Sequence, residues 1–287
     1  MGPVRFTSAE GEERYRAVVS VASRTVVGLD FDGTLSPIVD DPAKAHIHPD
    51  AAEVLLELAA EVAAIAVVTG RPARQALDLG GLEEVGDALQ AVGKELFVFG
   101  QYGNERWSSE RRRILGARPP RGLATFERDL PRALRLAGAA DAFVEDKGLA
   151  VAVHTRRLED PEAAFERLLP PLRELAQRHG LVLEPGRSVI EVRSPGSHKG
   201  MVVDRLAAVL DAEGFVFAGD DLGDIEAFEA VEELGKQGVA PLRVCSASDE
   251  QSALLDLADV VVKGPEGVLA LLRQLAADAR ARRDAEG

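Results

Sequence analysis

The sequence predicts an α/β fold: a Rossmann-like, doubly wound parallel sheet core with an inserted α+β cap unit. Three observations carry that expectation. Short, wholly apolar runs recur along the chain, as in strands buried on both faces. Most are separated by helical patterns, which argues for helices on both sides of one sheet. A central stretch breaks this rhythm with two strand pairs and a long helical segment.

The first apolar run, Val26–Leu29, ends abruptly in Asp30-Phe31-Asp32-Gly33-Thr34. If the strand pleat continues, the two carboxylates point to the same side. Paired acids at a strand end cost free energy unless something uses them. Ala51–Val62 reads as a helix opened by Pro49-Asp50. Ile65–Val68 and Leu96–Phe99 are the next strands, and Thr69-Gly70-Arg71-Pro72 follows the first of them. Ala142–Lys147 and Ala150–Thr155 form a hairpin around Gly148. Pro161–His179 is a helical pattern interrupted by Pro170-Pro171. Leu181–Glu184 and Ser188–Arg193 pair around Pro185-Gly186-Arg187. Met201–Ala212 places Val202, Leu206, Val209 and Leu210 at helical spacing. Phe215–Ala218, Arg243–Cys245 and Val260–Val262 complete the strands, and Val268–Ala281 is an amphipathic helix. The expected division is 1–116 with 195–287 as the core and 117–194 as the insert, with hinges at Ala117–Gly122 and Ser194–Ser197.

Composition narrows the partners. The chain has 287 residues, 46% hydrophobic but only 5% aromatic, so alanine, leucine and valine must fill its interior. Its net charge of −14 has no segregated basic stripe, which argues against nucleic acid. Arg111-Arg112-Arg113 is the only tight basic cluster and reads as a solvated turn. Cys245 is the sole cysteine, which excludes an intrachain disulfide and fits a reducing compartment. No apolar run approaches the ~20 residues of a membrane helix, and Met1–Arg16 lacks the apolar stretch of a signal peptide. The expectation is a cytoplasmic protein with no nucleic-acid or membrane partner. Its oligomeric state is not legible.

Ligands on open α/β sheets bind beyond the carboxyl ends of the strands. Those positions hold Asp30 and Asp32, then Thr69, then Gly219-Asp220-Asp221-Leu222-Gly223-Asp224, while Lys199-Gly200 precedes a helix. Singly, each has an ordinary explanation: a loop, a turn, a surface lysine, a helix cap. Together they suit phosphoryl transfer. A phosphate dianion must be neutralised before an anionic nucleophile approaches. A carboxylate-held Mg²⁺, a lysine, a hydroxyl and loop amides can do this. A covalent phospho-aspartate would divide a very slow reaction into two steps.

These four motifs resemble those of the haloacid dehalogenase-like phosphatase superfamily, and the insert resembles its C2 type of cap. Within the superfamily the chain is most similar to the trehalose-6-phosphate phosphatases. The similarity lies in Asp30–Pro42 (DFDGTLSPIVDDP), Val68–Pro72 (VTGRP), Gly100–Glu105 (GQYGNE), Val144–Arg156 (VEDKGLAVAVHTR) and Ile190–Gly200 (IEVRSPGSHKG). The resemblance implies that Asp30 is the nucleophile and Asp32 the general acid and base. It implies Mg²⁺ held by Asp30, the Asp32 carbonyl and Asp220, with Asp221 and Asp224 ordering metal-bound water or Lys199. Thr69 and Lys199 would hold the phosphate, with Gly33 and Arg71 also at the substrate. In the cap, Glu145, Lys147, Arg156 and Glu191 would contact a disaccharide; the alternative for Glu145 and Lys147 is a salt bridge across a hairpin. His154, in strand register with Arg156, would line the sugar site or pack in the hairpin, and Arg193 is a further candidate.

Two positions depart from the family pattern: Gly223 replaces a threonine of the last motif, and Tyr102 replaces a common histidine. The implied reaction is Mg²⁺-dependent hydrolysis of a small-molecule sugar phosphate, with trehalose 6-phosphate favoured. Sucrose phosphate or a glycosyl-glycerate phosphate are alternative substrates. A phosphomutase is disfavoured because Glu145 and Glu191 would repel a second phosphate. A non-catalytic regulator is disfavoured by the intact charged set.

Overall fold

Val26 and Val27 are adjacent in sequence, and both are fully buried, on opposite sides of one strand. The same holds for Val216 and Phe217. Such strands need cover on both faces, and the computed structural model provides it. It describes residues 5–39, 41–116, 118–186, 188–196, 198–247 and 254–286. Ala117, Arg187 and Ser197, named above in the hinges and a turn, lie outside them.

The strands are β1 (Arg5–Phe6), β2 (Thr25–Leu29), β3 (Ala64–Val68), β4 (Leu96–Gly100), β5 (Glu105–Ser108), β6 (Leu115–Gly116), β7 (Phe143–Asp146), β8 (Ala150–His154), β9 (Val182–Gly186), β10 (Val189–Arg193), β11 (Gly214–Gly219), β12 (Ala240–Ala247) and β13 (Val260–Lys263). The helices are α1 (Ala9–Ser20), α2 (Ala51–Ala59), α3 (Ala73–Gly80), α4 (Leu82–Ala91), α5 (Leu123–Leu136), α6 (Pro161–Arg178), α7 (Lys199–Val209), α8 (Ile225–Lys236) and α9 (Gly264–Glu286). Among the described residues no helix is long and apolar enough to cross a membrane.

The chain divides into two compact units, Met1–Leu115 with His198–Gly287, and Gly116–Ser197. In the first, a nine-stranded sheet runs β1-β13-β12-β11-β2-β3-β4-β5-β6 among the described residues. The six strands from β13 to β4 are parallel, while β1 and β5 pair antiparallel. From β2 the chain winds outward through β3 and β4; from β11 it winds the other way through β12 and β13. The order therefore reverses between β2 and β11, the place where such sheets open a crevice for ligands. One face packs on α1, α2, α3, α4 and α9, the other on α7 and α8.

The second unit is a four-stranded antiparallel sheet, β7-β8-β10-β9. Val151, Val153, Ile190 and Val192 on one face pack with Leu130 and Leu134 of α5 and Leu168 and Leu172 of α6. The intervening residues face the other way, and the row Glu145, Ala152, Glu191, Glu184 crosses all four strands in register.

Some elements differ from the sequence expectation. α6 runs unbroken through Pro170 and Pro171. Proline removes a donor and crowds the preceding turn, yet Leu168, Leu172 and Leu175 stay on one buried stripe that holds the segment helical. α2 stops at Ala59, and α7 starts two residues earlier than expected, which brings Lys199 into its first turn. β8 ends at His154, so Arg156 lies exposed in the following turn, out of register with the strand. α1 was not expected: its polar, mixed-charge sequence hides a short buried stripe of Gly11, Tyr15 and Val18.

Candidate active site

β2 and β11 are hydrogen-bonded neighbours that end together. The Asp30 amide donates to the Ala218 carbonyl at 2.9 Å. Asp30 and Asp220 are therefore the first residues beyond two adjacent parallel strands. Thr69 follows β3, the other neighbour of β2, and its amide donates to Phe99 O at 2.9 Å.

Lys199 reaches this rim from the start of α7. Its Nζ donates to Asp30 Oδ1 and to Asp224 Oδ1, both at 2.6 Å. All three groups are buried. The second Asp224 oxygen accepts from the amides of Asp220 at 3.0 Å and Asp221 at 3.3 Å. Asp221 in turn caps the short helical turn Leu222–Asp224 through the Gly223 amide at 2.9 Å. Asp224 thus holds Lys199 through one oxygen and the loop amides through the other, while Asp221 caps the loop itself.

The cluster carries more negative than positive charge. Burial pushes the Asp30 carboxyl well above its usual range; Lys199 opposes this, while Asp224, Asp221 and Asp32 add to it. Burial, then Asp30, Asp221 and Asp224, push Asp220 up to about 10. Burial alone would lower Lys199, but Asp224, Asp30 and Asp221 outweigh it, and the ammonium stands well above an ordinary lysine. Oxygens of Asp30, Asp220 and Asp224 all lie within 4.8 Å of one another. A hard oxygen donor set with surplus negative charge fits a divalent cation. Gly33 permits this approach: its φ is +71°, and a Cβ there would sit 2.1 Å from Asp220 Oδ2.

Asp32 and Arg71 form a fork-to-fork pair. Arg71 Nε and Nη2 each donate to a different Asp32 oxygen at 2.6 Å. The Arg71 Nη1 donates to Pro42 O at 2.9 Å, its amide donates to Thr69 Oγ1 at 3.1 Å, and its guanidinium lies 5.5 Å from the Phe31 ring centre. No motif pointed to this pair, whose members are 39 residues apart.

Tyr102 also belongs here. Its φ is +57°, its amide donates to Thr69 O at 3.0 Å, and its phenol covers Gly70 so closely that a Cβ there would lie 2.7 Å from Oη. A Cβ at Gly223 would meet the same ring at 3.8 Å. The two departures from the family pattern are therefore neighbours in space.

In the cap unit, Lys147 Nζ donates to Glu191 Oε2 at 2.5 Å, and His154 Nε2 lies 2.9 Å from Glu145 Oε2. Lys147 thus reaches across to β10, and Glu145 to β8. Arg193 pairs with Glu184 at 3.0 Å. Glu191 is buried, and its Oε1 has no hydrogen-bond partner among the described residues. Arg156, in its exposed turn, joins none of these pairs.

A family model described as trehalose-phosphatase matches residues 28–88 and 135–260. A trehalose-phosphate phosphatase of Mycobacterium bovis is 31% identical over 267 residues, covering 89% of this chain and 63% of that protein. A Mycobacterium tuberculosis protein described as an uncharacterized glycosyl hydrolase is 34% identical over 266 residues, 89% of this chain but 18% of that protein. The chain thus spans less than two thirds of the length of these curated relatives. The C-terminal domain of Candida albicans trehalose-6-phosphate phosphatase matches in fold with a TM-score of 0.74 at 20% identity, covering 96% of this chain and 99% of that one. The fold is the haloacid dehalogenase-like core with a cap that the motifs imply. Matched by that family model over 28–88 and 135–260, more than half of its length, the chain belongs to the trehalose-phosphatase family.

Proposed function

We propose that this chain is a Mg²⁺-dependent phosphatase that hydrolyses trehalose 6-phosphate to trehalose and inorganic phosphate. One observation carries the reading: Lys199 joins Asp30 and Asp224 at 2.6 Å each, at the carboxyl ends of β2 and β11. Asp30, Asp220 and Asp224 would hold the cation, together with the Asp32 carbonyl. When bound, the metal neutralises phosphate charge and lets an anionic oxygen approach phosphorus.

The chain's own residues then divide the work. Asp30 attacks phosphorus and becomes phosphorylated. Lys199, held charged by its acidic neighbours, binds a phosphate oxygen, with Thr69 and the loop amides near Gly33 and Gly70. Asp32 gives its proton to the departing sugar oxygen, then takes one from the water that attacks the phospho-aspartate. On the cap sheet, Glu145, Lys147 and Glu191 present acceptors and donors suited to sugar hydroxyls. The partnerless Glu191 Oε1 supports this, because a buried acceptor costs free energy until a donor reaches it. With one buried cysteine and net acidic charge, we place the protein in the cytoplasm, free of nucleic acid and membrane.

The test is a phosphate-release screen with Mg²⁺ over trehalose 6-phosphate, sucrose phosphate, a glycosyl-glycerate phosphate and simple hexose phosphates. Trehalose 6-phosphate should show the highest kcat/KM, and Asp30→Asn should abolish its turnover. Faster turnover of another member would reassign the substrate, and an active Asp30→Asn protein would remove the covalent step.

A further inference from the structure

Each nitrogen of the Arg71 guanidinium makes a hydrogen bond. Nε and Nη2 hold both oxygens of Asp32, Nη1 holds Pro42 O, and the plane faces Phe31. Its side chain is only 10% exposed, whereas that of Asp32 is 42% exposed. A carboxylate that open would sample several rotamers if left alone. Arginine's planar fork fixes both the position and the plane of a carboxylate, which a lysine cannot do.

We infer that Arg71 is a positioning residue that acts through Asp32, and is not a direct ligand of the substrate phosphate. The inference rests on the proton-transfer role proposed for Asp32. In the first step the Asp30 oxygen bonds to phosphorus, the bond from phosphorus to the sugar oxygen breaks, and the Asp32 proton passes to that sugar oxygen. In the second, a water oxygen bonds to phosphorus, the Asp30–phosphorus bond breaks, and the water proton returns to Asp32. In both steps one Asp32 oxygen must face the same short line beside phosphorus. In the two-point fork both Asp32 oxygens accept from Arg71; a one-point hold leaves one oxygen aimed and able to carry the proton. Pro42 O and Phe31 keep the guanidinium in place while that second contact opens and closes.

A double-mutant cycle tests this. Arg71→Ala, Asp32→Asn and the combined variant are assayed on the substrate found by the screen, with Mg²⁺ present. General acid–base catalysis is worth ~10²–10⁴-fold, so Arg71→Ala should lower kcat on the order of 10²-fold. Its KM, and the inhibition constant of inorganic phosphate, should stay within about threefold of wild type. In the Asp32→Asn background the same change should cost less than about threefold, because the group it acts through is already disabled. Arg71→Lys keeps the charge without the fork and should recover little of the kcat. Should Arg71→Ala unfold, the cycle is run with Arg71→Lys, checked by circular dichroism. A higher KM and weaker phosphate inhibition, equal in both backgrounds, would make Arg71 a substrate ligand and overturn the inference, as would unchanged kcat in Arg71→Ala. Full activity in Asp32→Asn alone would overturn the proposed role of Asp32 first, and is read directly from that single variant.

Discussion

Replacing Gly33 by alanine probes whether the loop after β11 must press on the loop after β2. Two costs arise, and the structure separates them. The first is conformational: with φ at +71°, an L side chain pays about 1–2 kcal/mol. The second is steric: the new Cβ would stand 2.1 Å from Asp220 Oδ2 and 2.3 Å from its Cγ. Relief requires the carboxylate to retreat by roughly 1 Å, and a misplacement of that size can cost ~10²-fold in rate. Gly93 supplies a matched control, since its φ is +73° and nothing lies within 4 Å of its would-be Cβ. Gly33→Ala and Gly93→Ala should share a drop of roughly 2–8 °C in unfolding midpoint. Only Gly33→Ala should need more Mg²⁺ and lose ~10²-fold in kcat. The assay pairs thermal unfolding with a Mg²⁺ titration of phosphate release. If Gly33→Ala matched Gly93→Ala in both Mg²⁺ dependence and kcat, the contact with Asp220 would have no bearing on the site.

The raised carboxyls of Asp30 and Asp220 mean that the metal-free folded chain binds more protons than the unfolded one. That contribution is present in acid and is lost as pH rises from the ordinary carboxyl value toward about 10 for Asp220. Metal binding displaces the same protons, so saturating Mg²⁺ should raise the unfolding midpoint more at about pH 8.5 than at about pH 5.5; equal gains would count against the metal assignment. Lys199→Met should leave two buried carboxylates without their cation, a change that typically costs ~3–5 kcal/mol. Urea unfolding without metal should show most of that loss near neutral pH and less in acid, where the carboxyls take up protons. A loss below about 1 kcal/mol would mean the ion pairs contribute little to the fold.

Strand ends were the legible part of this chain. Val26–Leu29 and Phe215–Ala218 are apolar throughout and then turn acidic at once, so both the strands and the rim beside them can be read without coordinates. The resemblance implies only that Asp221 and Asp224 order metal-bound water or Lys199; Lys199 Nζ lies 2.6 Å from Asp224 Oδ1. Pairings between distant side chains carried no such signal. Arg71 and Asp32 lie in separate loops, and nothing in either loop's composition specifies a fork between them. Tyr102 and Gly223 each registered only as an oddity; their proximity depends on how the turn after β4 folds back over Gly70. In α6, two adjacent prolines misled because local propensity argues for a break, while the leucine stripe beneath them is a tertiary fact. The strand expected over Ala150–Thr155 stops one residue sooner, at His154, since hydrophobic alternation does not mark where β8 ends.

The two units have separate interiors. Among the described residues, the aliphatic layer beneath Glu145 and Glu191 shares no residue with either layer that flanks β2 and β11. Changes on the polar face of the antiparallel sheet can therefore accumulate without loosening the floor on which Asp30 stands. Under the proposed function, a lineage built this way can trade one sugar for another by drift in a few surface side chains, while the step at phosphorus is inherited intact.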